Sequence, residues 1–345
     1  MSIPRFEWMT ARSLAEAARA TSTTAAAMIE TRPSDAAPGA DLLKAGGVDL
    51  LDLMKRGLLA PRRLVNLRAV ANLDAIAEDG RGGLRIGALA TLEQVAAHPI
   101  VRQRYAALAD AAAGSASPQI RAIATLGGNV LQRPRCWYFR SDDQRCLRRG
   151  GGRCFAIHGE NQYHAVFANE VCAVVHPSTP ATALTAFGAS VELVDAQGET
   201  RRVALDDFFV APEVDVQREN DLKAGEALVV FLLPPLAVGA TSVHLRESER
   251  LAFDWPVADV AVVLERDDQA RCVRAAIALG AAAATPLRAF SAENLLVGKP
   301  IDDGLARAVG EAAVEGATPL TKNRYKPPIF SALVRRALLR AAGQG

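Results

Sequence analysis

Three of the five cysteines, Cys136, Cys146 and Cys154, fall within RCWYFRSDDQRCLRRGGGRCF at residues 135–155; the others are Cys172 and Cys272. Thiolates serve as metal ligands, nucleophiles or disulfide partners. An odd count in a chain of cytosolic character disfavours a disulfide framework and favours metal ligation or catalysis. Arg133, Arg135, Arg145, Arg148 and Arg153 surround this stretch and would offset negative charge on sulfur. Cys272 stands apart in a segment of strand character and reads as an ordinary buried thiol.

A second kind of chemistry is suggested by two Gly-Gly turns. In AGGVDLL, at 45–51, the glycines let backbone N–H groups approach an anion, and the helix that follows adds its positive end. A plain turn is the competing reading, with Asp49 expected to cap the helix. In ATLGGN, at 124–129, Thr125 and Asn129 flank the glycines and suit a planar heterocycle that needs donors and acceptors close to backbone. Neither turn has the G-x-G-x-x-G spacing of a dinucleotide fold. His158, His164 and His176 lie at no metal-motif spacing and read as structural, and Trp137, Tyr138 and Phe139 read as local core. No Ser-His-Asp or Cys-His arrangement is legible, so bond-breaking chemistry on an organic substrate is not expected of this chain.

The elements that must position these groups alternate between strand and helix. LLKAGGVDLLDLMKRG (42–57) predicts strand, tight turn and helix; RLVNLR (63–68) and GLRIGA (83–88) predict strands. TLEQVAAH (91–98) opens a helix capped by Thr91, and a longer alanine-rich helix covers about 101–113. TRPSDAAPGAD (31–41) reads as loop. Hydrophobic periodicity disappears between Arg133 and Val171, which marks an insertion that must be functional or tied down. A strand at EALVVFLLPP, two strands around an Asp-Asp-Gln turn, and three helical stretches complete the chain.

With 345 residues, two domains are expected, the boundary falling near residue 222. Half the residues are hydrophobic, 23% are charged, and no apolar run of ~18 residues occurs, so no membrane span is expected. A formal charge of +2 with scattered basic residues argues against nucleic acid as a partner. The N-terminal MSIPRFEWMTARSLAEAARA lacks the pattern of a general secretory signal, which by itself suggests a cytoplasmic chain.

Taken together, AGGVDLLDLMKRGLLAPRRLVNL, RIGALATLEQV, IRAIATLGGNVLQ, GASVELVDAQGETRRVALDDFF and PLTKNRYKPPIFSALVRRAL resemble the FAD-binding medium subunit of the molybdenum hydroxylases, the xanthine dehydrogenase and carbon monoxide dehydrogenase family. The resemblance spans nearly the whole chain. It implies an α+β protein: a PCMH-type FAD-binding domain of two α/β subdomains (1–221), then a C-terminal domain of a small antiparallel sheet with helices (222–345). By the matching positions, Ala45, Gly46, Gly47, Val48, Asp49 and Leu50 would lie along the FAD pyrophosphate. Thr91, Thr125, Gly127, Gly128, Asn129, Thr179 and Arg246 would contact the rest of the cofactor. Val48 stands where the family often has Thr or Ser, Thr179 where Asp is usual, and Arg246 where Lys is frequent.

The insertion at 133–172 resembles one carried by the flavoprotein subunits of 4-hydroxybenzoyl-CoA reductase and periplasmic aldehyde oxidoreductase. There it binds a [4Fe–4S] cluster. The resemblance implies Cys136, Cys146, Cys154 and Cys172 as ligands, at spacing C-x9-C-x7-C-x17-C. Four cysteines also suit zinc, which stays as the alternative, although the C-x2-C pairs typical of zinc sites are absent. The implied function is electron transfer: a molybdenum-cofactor large subunit oxidises an aldehyde or N-heterocycle, a small subunit with [2Fe–2S] clusters relays electrons, and FAD passes them to an external acceptor. A self-contained FAD-dependent NAD(P)H oxidoreductase and a flavin-free zinc scaffold are the rivals. Relatives reach the periplasm on a partner's twin-arginine signal, so co-export is the alternative to a cytoplasmic location.

Overall fold

A computed structural model describes residues 3–344 except 22, 31–39 and 251–252. The loop expected over 31–41 therefore lies, up to residue 39, outside the described residues. Leu42, Leu43, Leu64 and Val65 extend two short strands, Asp41–Lys44 and Arg63–Asn66, which pair in parallel. Glu7–Thr10 joins the other side of Arg63–Asn66, also parallel, to give a three-stranded sheet. The helix Val48–Lys55 follows Asp41–Lys44 through the glycine turn, as the sequence predicts, and buries Leu53 and Met54. These pack on Met28, Leu42, Leu58, Leu59 and Leu64, a core that also takes Phe139 and Cys146 from the insertion.

A five-stranded antiparallel sheet forms the second layer, in the order Ile76–Glu78, Leu84–Gly87, Ala227–Leu233, Ser190–Val194 and Thr200–Ala204. Helices Leu92–Ala97, Ala106–Ala113 and Thr179–Phe187 share its core through Leu108, Leu184, Phe187 and Phe231, all buried. Ala227–Leu233 is the central strand, so this hydrogen-bonded unit continues past the boundary expected at residue 222. Strand pairing over such sequence distances leaves no local mark. The helix expected over 101–113 is two helices, Pro99–Arg104 and Ala106–Ala113, broken at Tyr105. There the backbone leaves the helical region, and the phenol donates to the Pro234 carbonyl at 2.8 Å.

The C-terminal portion is a four-stranded antiparallel sheet, in the order Leu287–Arg288, Cys272–Gly280, Ala258–Arg266 and Thr241–Glu247. Helices Phe290–Asn294, Asp303–Ala312 and Lys326–Ala341 accompany it, and Phe330, Leu333 and Val334 meet Val260, Val262 and Ile277. Cys272 is buried, and burial pushes its thiol up to about 11.

Between the helices Leu126–Val130 and Thr179–Phe187, a single 3-10 turn, Leu147–Arg149, is the only regular element among the described residues. The insertion is nonetheless fixed to its surroundings. Val166 N–H donates to the Ala282 carbonyl at 2.9 Å, and Thr318 N–H donates to that of Val166 at 2.7 Å. Asn323 Nδ2 donates to the carbonyls of His164 and Ala165 at 3.1 and 3.0 Å. The fully buried Lys326 donates to the carbonyls of His164 at 2.9 Å and Ala281 at 2.7 Å. Asn323 and Lys326 belong to PLTKNRYKPP and Thr318 directly precedes it, so that segment serves as a clamp on the insertion.

Burial alone pushes the Lys326 amine down to about 7 from its ordinary 10.5. The unfolded chain thus holds a proton between these values that the folded one has released, and stability rises with pH across that interval. Lys326→Met removes this slope. It also orphans a buried carbonyl, costing about 1–3 kcal/mol. Thermal unfolding midpoints measured between pH 7 and 9 check both effects; parallel profiles for variant and parent would contradict the assignment.

Candidate functional site

The two glycine turns meet. A Cβ on Gly46 would overlap the Ile123 carbonyl oxygen, which directly precedes the second turn. Gly47 adopts φ 83°, the left-handed region that favours glycine, and is itself the N-cap of Val48–Lys55 with no side chain capping the helix. In the second turn Thr125 is the N-cap and accepts from Gly128 N–H at 3.1 Å. Gly127 N–H donates to the Ala88 carbonyl at 2.9 Å, and a Cβ on Gly127 would stand 2.9 Å from that of Ala88. Close backbone contact explains both glycines.

Around these turns lies a cavity of about 910 Å³, within the range of small-molecule and cofactor sites, roughly 300–1,000 Å³. Ala45, Gly46, Gly47, Val48, Asp49 and Leu50 line it from the first turn, and Thr125, Gly127, Gly128 and Asn129 from the second. Thr179 and Arg246 also stand at its wall. The Thr179 hydroxyl is engaged with the Ser115 hydroxyl at 2.8 Å and the Ala111 carbonyl at 3.1 Å. The Ser178 hydroxyl donates to Asn129 Oδ1 at 2.6 Å, and Arg246 donates to the Asp254 carbonyl at 3.4 Å.

The structure bears out the cap expected at Thr91 and corrects the one expected at Asp49. Thr91 is not brought to the cavity wall; its hydroxyl accepts from Gln94 N–H while the Gln94 side chain accepts from Thr91 N–H, a complete capping box. Asp49 does not cap its helix. Its carboxylate takes the Arg133 N–H at 2.8 Å and the guanidinium groups of Arg140 at 2.7 Å and Arg135 at 3.0 Å. All three belong to the opening of the insertion, so Asp49 ties the first glycine turn to the segment that carries Cys136.

The four insertion cysteines converge. Cys154 and Cys172 are joined by a side-chain hydrogen bond, and Cys136, Cys146 and Cys172 act on one another electrostatically. The hydrogen bond from Cys172 lowers Cys154 to about 6, and the same bond with burial raises Cys172. Burial also pushes Cys136 up to about 12. His164 Nε2 stands 3.2 Å from Cys136 Sγ, and burial holds its ring down to about 4, hence neutral. Trp137 packs edge-on against Tyr138, Tyr163 and His164. Among the described residues no group of three or more His, Cys, Asp or Glu is arranged to hold one metal ion.

Residues 4–236 match the family described as the FAD binding domain in molybdopterin dehydrogenase, and residues 243–341 match the CO dehydrogenase flavoprotein C-terminal domain. The chain belongs to this flavoprotein family. It is 35% identical over 309 residues to the aldehyde oxidoreductase FAD-binding subunit PaoB of Escherichia coli (strain K12), covering 89% of this chain and 93% of that one. It is 26% identical to the carbon monoxide dehydrogenase medium chain of Hydrogenophaga pseudoflava, covering 97% and 96% of the two. Among solved structures, it superposes on quinoline 2-oxidoreductase from Pseudomonas putida 86 with a TM-score of 0.73 and 25% identity, covering 100% of this chain and 99% of that one. It is thus an FAD-binding oxidoreductase subunit of the molybdenum hydroxylase type, which removes the flavin-free scaffold from consideration.

The flavoprotein's cavity also has walls that the sequence left unassigned. Phe253 and Trp255 line it, and the Arg135 guanidinium lies 4.9 Å from the Trp255 ring centroid. Nothing periodic marks Trp255, which sits in an irregular segment. Glu219, also at the wall, accepts from Arg133 at 2.8 Å and Arg148 at 2.7 Å. Of the five arginines expected to balance the thiolates, Arg148 bonds to Cys172, whereas Arg133 and Arg135 are paired with carboxylates.

Proposed function

We propose that this flavoprotein carries electrons inside an aldehyde-oxidising molybdenum complex, with FAD in the 910 Å³ cavity and a [4Fe–4S] cluster on Cys136, Cys146, Cys154 and Cys172. The observation that carries the reading is the shared wall: residues from both glycine turns and from the opening of the insertion, Arg133, Arg135 and Arg140, line one cavity. FAD supplies the conversion of one-electron input to two-electron output. The chain's part is to hold it. Gly46 and Gly47 would offer backbone N–H groups to its pyrophosphate, while Asn129, Thr125 and Arg246 would border the remainder.

The cluster assignment is supported by the convergence of four thiols and by two buried nitrogens beside them, Arg148 Nε and His164 Nδ1, that have no hydrogen-bond partner within the described structure. The aldehyde class follows the 35% identity to an aldehyde oxidoreductase FAD-binding subunit. A large molybdenum subunit and a small [2Fe–2S] subunit are the partners in this reading, and an external acceptor takes electrons from FAD. The FAD-binding domain runs through Leu233, and the C-terminal domain begins at Thr241. Among the described residues no helix is long and apolar enough to cross a membrane.

The complex purified through a tag on this chain tests the proposal. Anaerobic addition of an aromatic aldehyde should bleach the flavin absorption, and an added acceptor should restore it. Flavin that stays oxidised with aldehydes yet bleaches with NADH would overturn it.

A further inference from the structure

Buried charge beside the cysteines is arranged unequally. Arg148 and Arg133, both almost wholly buried, donate to the same oxygen of Glu219, so two cations share one carboxylate. Arg148 also hydrogen-bonds the Cys172 side chain. Its Nε finds no acceptor among the described residues, which is costly for a buried donor unless another group completes it. Arg148 thus stands between Cys172 and Glu219, and Glu219 lines the flavin cavity.

We propose that Arg148 and Glu219 are an opposed pair that sets the reduction potential of the cysteine-bound cluster: Arg148 raises it by charge and hydrogen bonding at Cys172, and Glu219 holds Arg148 in place while limiting that effect. The inference rests on the cluster reading above. Reduction adds an electron to a site whose thiolates are already negative, so a buried positive charge and a donor to sulfur favour the reduced form. Removing Arg148 leaves Arg133 and Glu219, formally neutral. Removing the Glu219 charge leaves two uncompensated guanidinium groups. The two substitutions therefore act in opposite directions, which a loss of packing does not produce. Both are positioning residues, since neither carries electrons.

The test is a spectroelectrochemical titration of the full chain, purified anaerobically, after its iron has been measured. Arg148→Met should lower the cluster midpoint by about 59 mV or more, a tenfold change in a one-electron equilibrium. Glu219→Gln should raise it, and Arg148→Lys, which keeps the charge and loses the planar fork, should lie between Arg148→Met and the parent. If Arg148→Met does not fold, the rise in Glu219→Gln and the smaller fall in Arg148→Lys still decide the matter. Iron-loaded variants with unchanged midpoints, or with shifts of the same sign, overturn the pairing. An unsubstituted chain without iron overturns the cluster reading itself, before any variant is compared.

Discussion

Gly46→Ala should bind FAD at least tenfold more weakly than the parent chain, while Gly152→Ala should bind it normally. The difference lies in what a new methyl group meets. At Gly46 it would run into the Ile123 carbonyl oxygen, and at Gly152 it meets open space. Ile123 has little freedom to retreat, because Ala124 N–H donates to the Ile120 carbonyl at 2.7 Å and the Ala124 carbonyl accepts from Leu92 N–H at 2.9 Å. Overpacking of this kind costs about 1–3 kcal/mol. If the turns separate to relieve it, that cost falls on cofactor binding, where 1.4 kcal/mol is about a factor of ten. Flavin titration of the apoprotein reads the effect directly. Equal affinity for Gly46→Ala and the parent would mean that contact between the turns does not shape the FAD site.

Cys172→Ser should strip the chain of iron, from about four atoms to nearly none, and leave FAD bound. Cys172 is the cysteine that interacts with each of the other three, and it accepts from Arg148. The glycine turns do not depend on it. Without the cluster the insertion keeps its clamps at Asn323 and Lys326 but loses its internal cross-link, so proteolysis within residues 133–172 should quicken. Cys272→Ser is the control, since Cys272 lies in the C-terminal sheet and its thiol is perturbed by burial and Glu265 rather than by another cysteine. Equal iron loss in both variants, or none in either, would contradict the ligand assignment.

Much of this was legible because it is local. A glycine pair between an apolar run and a helical period marks a turn, and an abrupt loss of periodicity marks the insertion. What escaped depends on partners remote in sequence. Asp49 reads as a helix cap until Arg133 and Arg140 are seen to reach it. The strand Ala227–Leu233 lies beyond the expected boundary at 222 and pairs with Leu84–Gly87 and Ser190–Val194, which no local pattern reveals. Thr91 is a different case: TLEQ carries the Thr-x-x-Gln of a capping box, and the cap read there from the sequence is the role its hydroxyl takes. Glu219 and Trp255 had no signal at all, since each sits in irregular chain and gains its role from what folds against it.

On the proposed reading, one chain holds both FAD and an iron–sulfur cluster. The most direct test is a visible spectrum with iron, zinc and flavin quantification on protein purified anaerobically. About four irons and one FAD per chain, with negligible zinc, are expected. FAD accompanied by a single zinc, or by no metal after attempted iron and sulfide reconstitution, would contradict that reading.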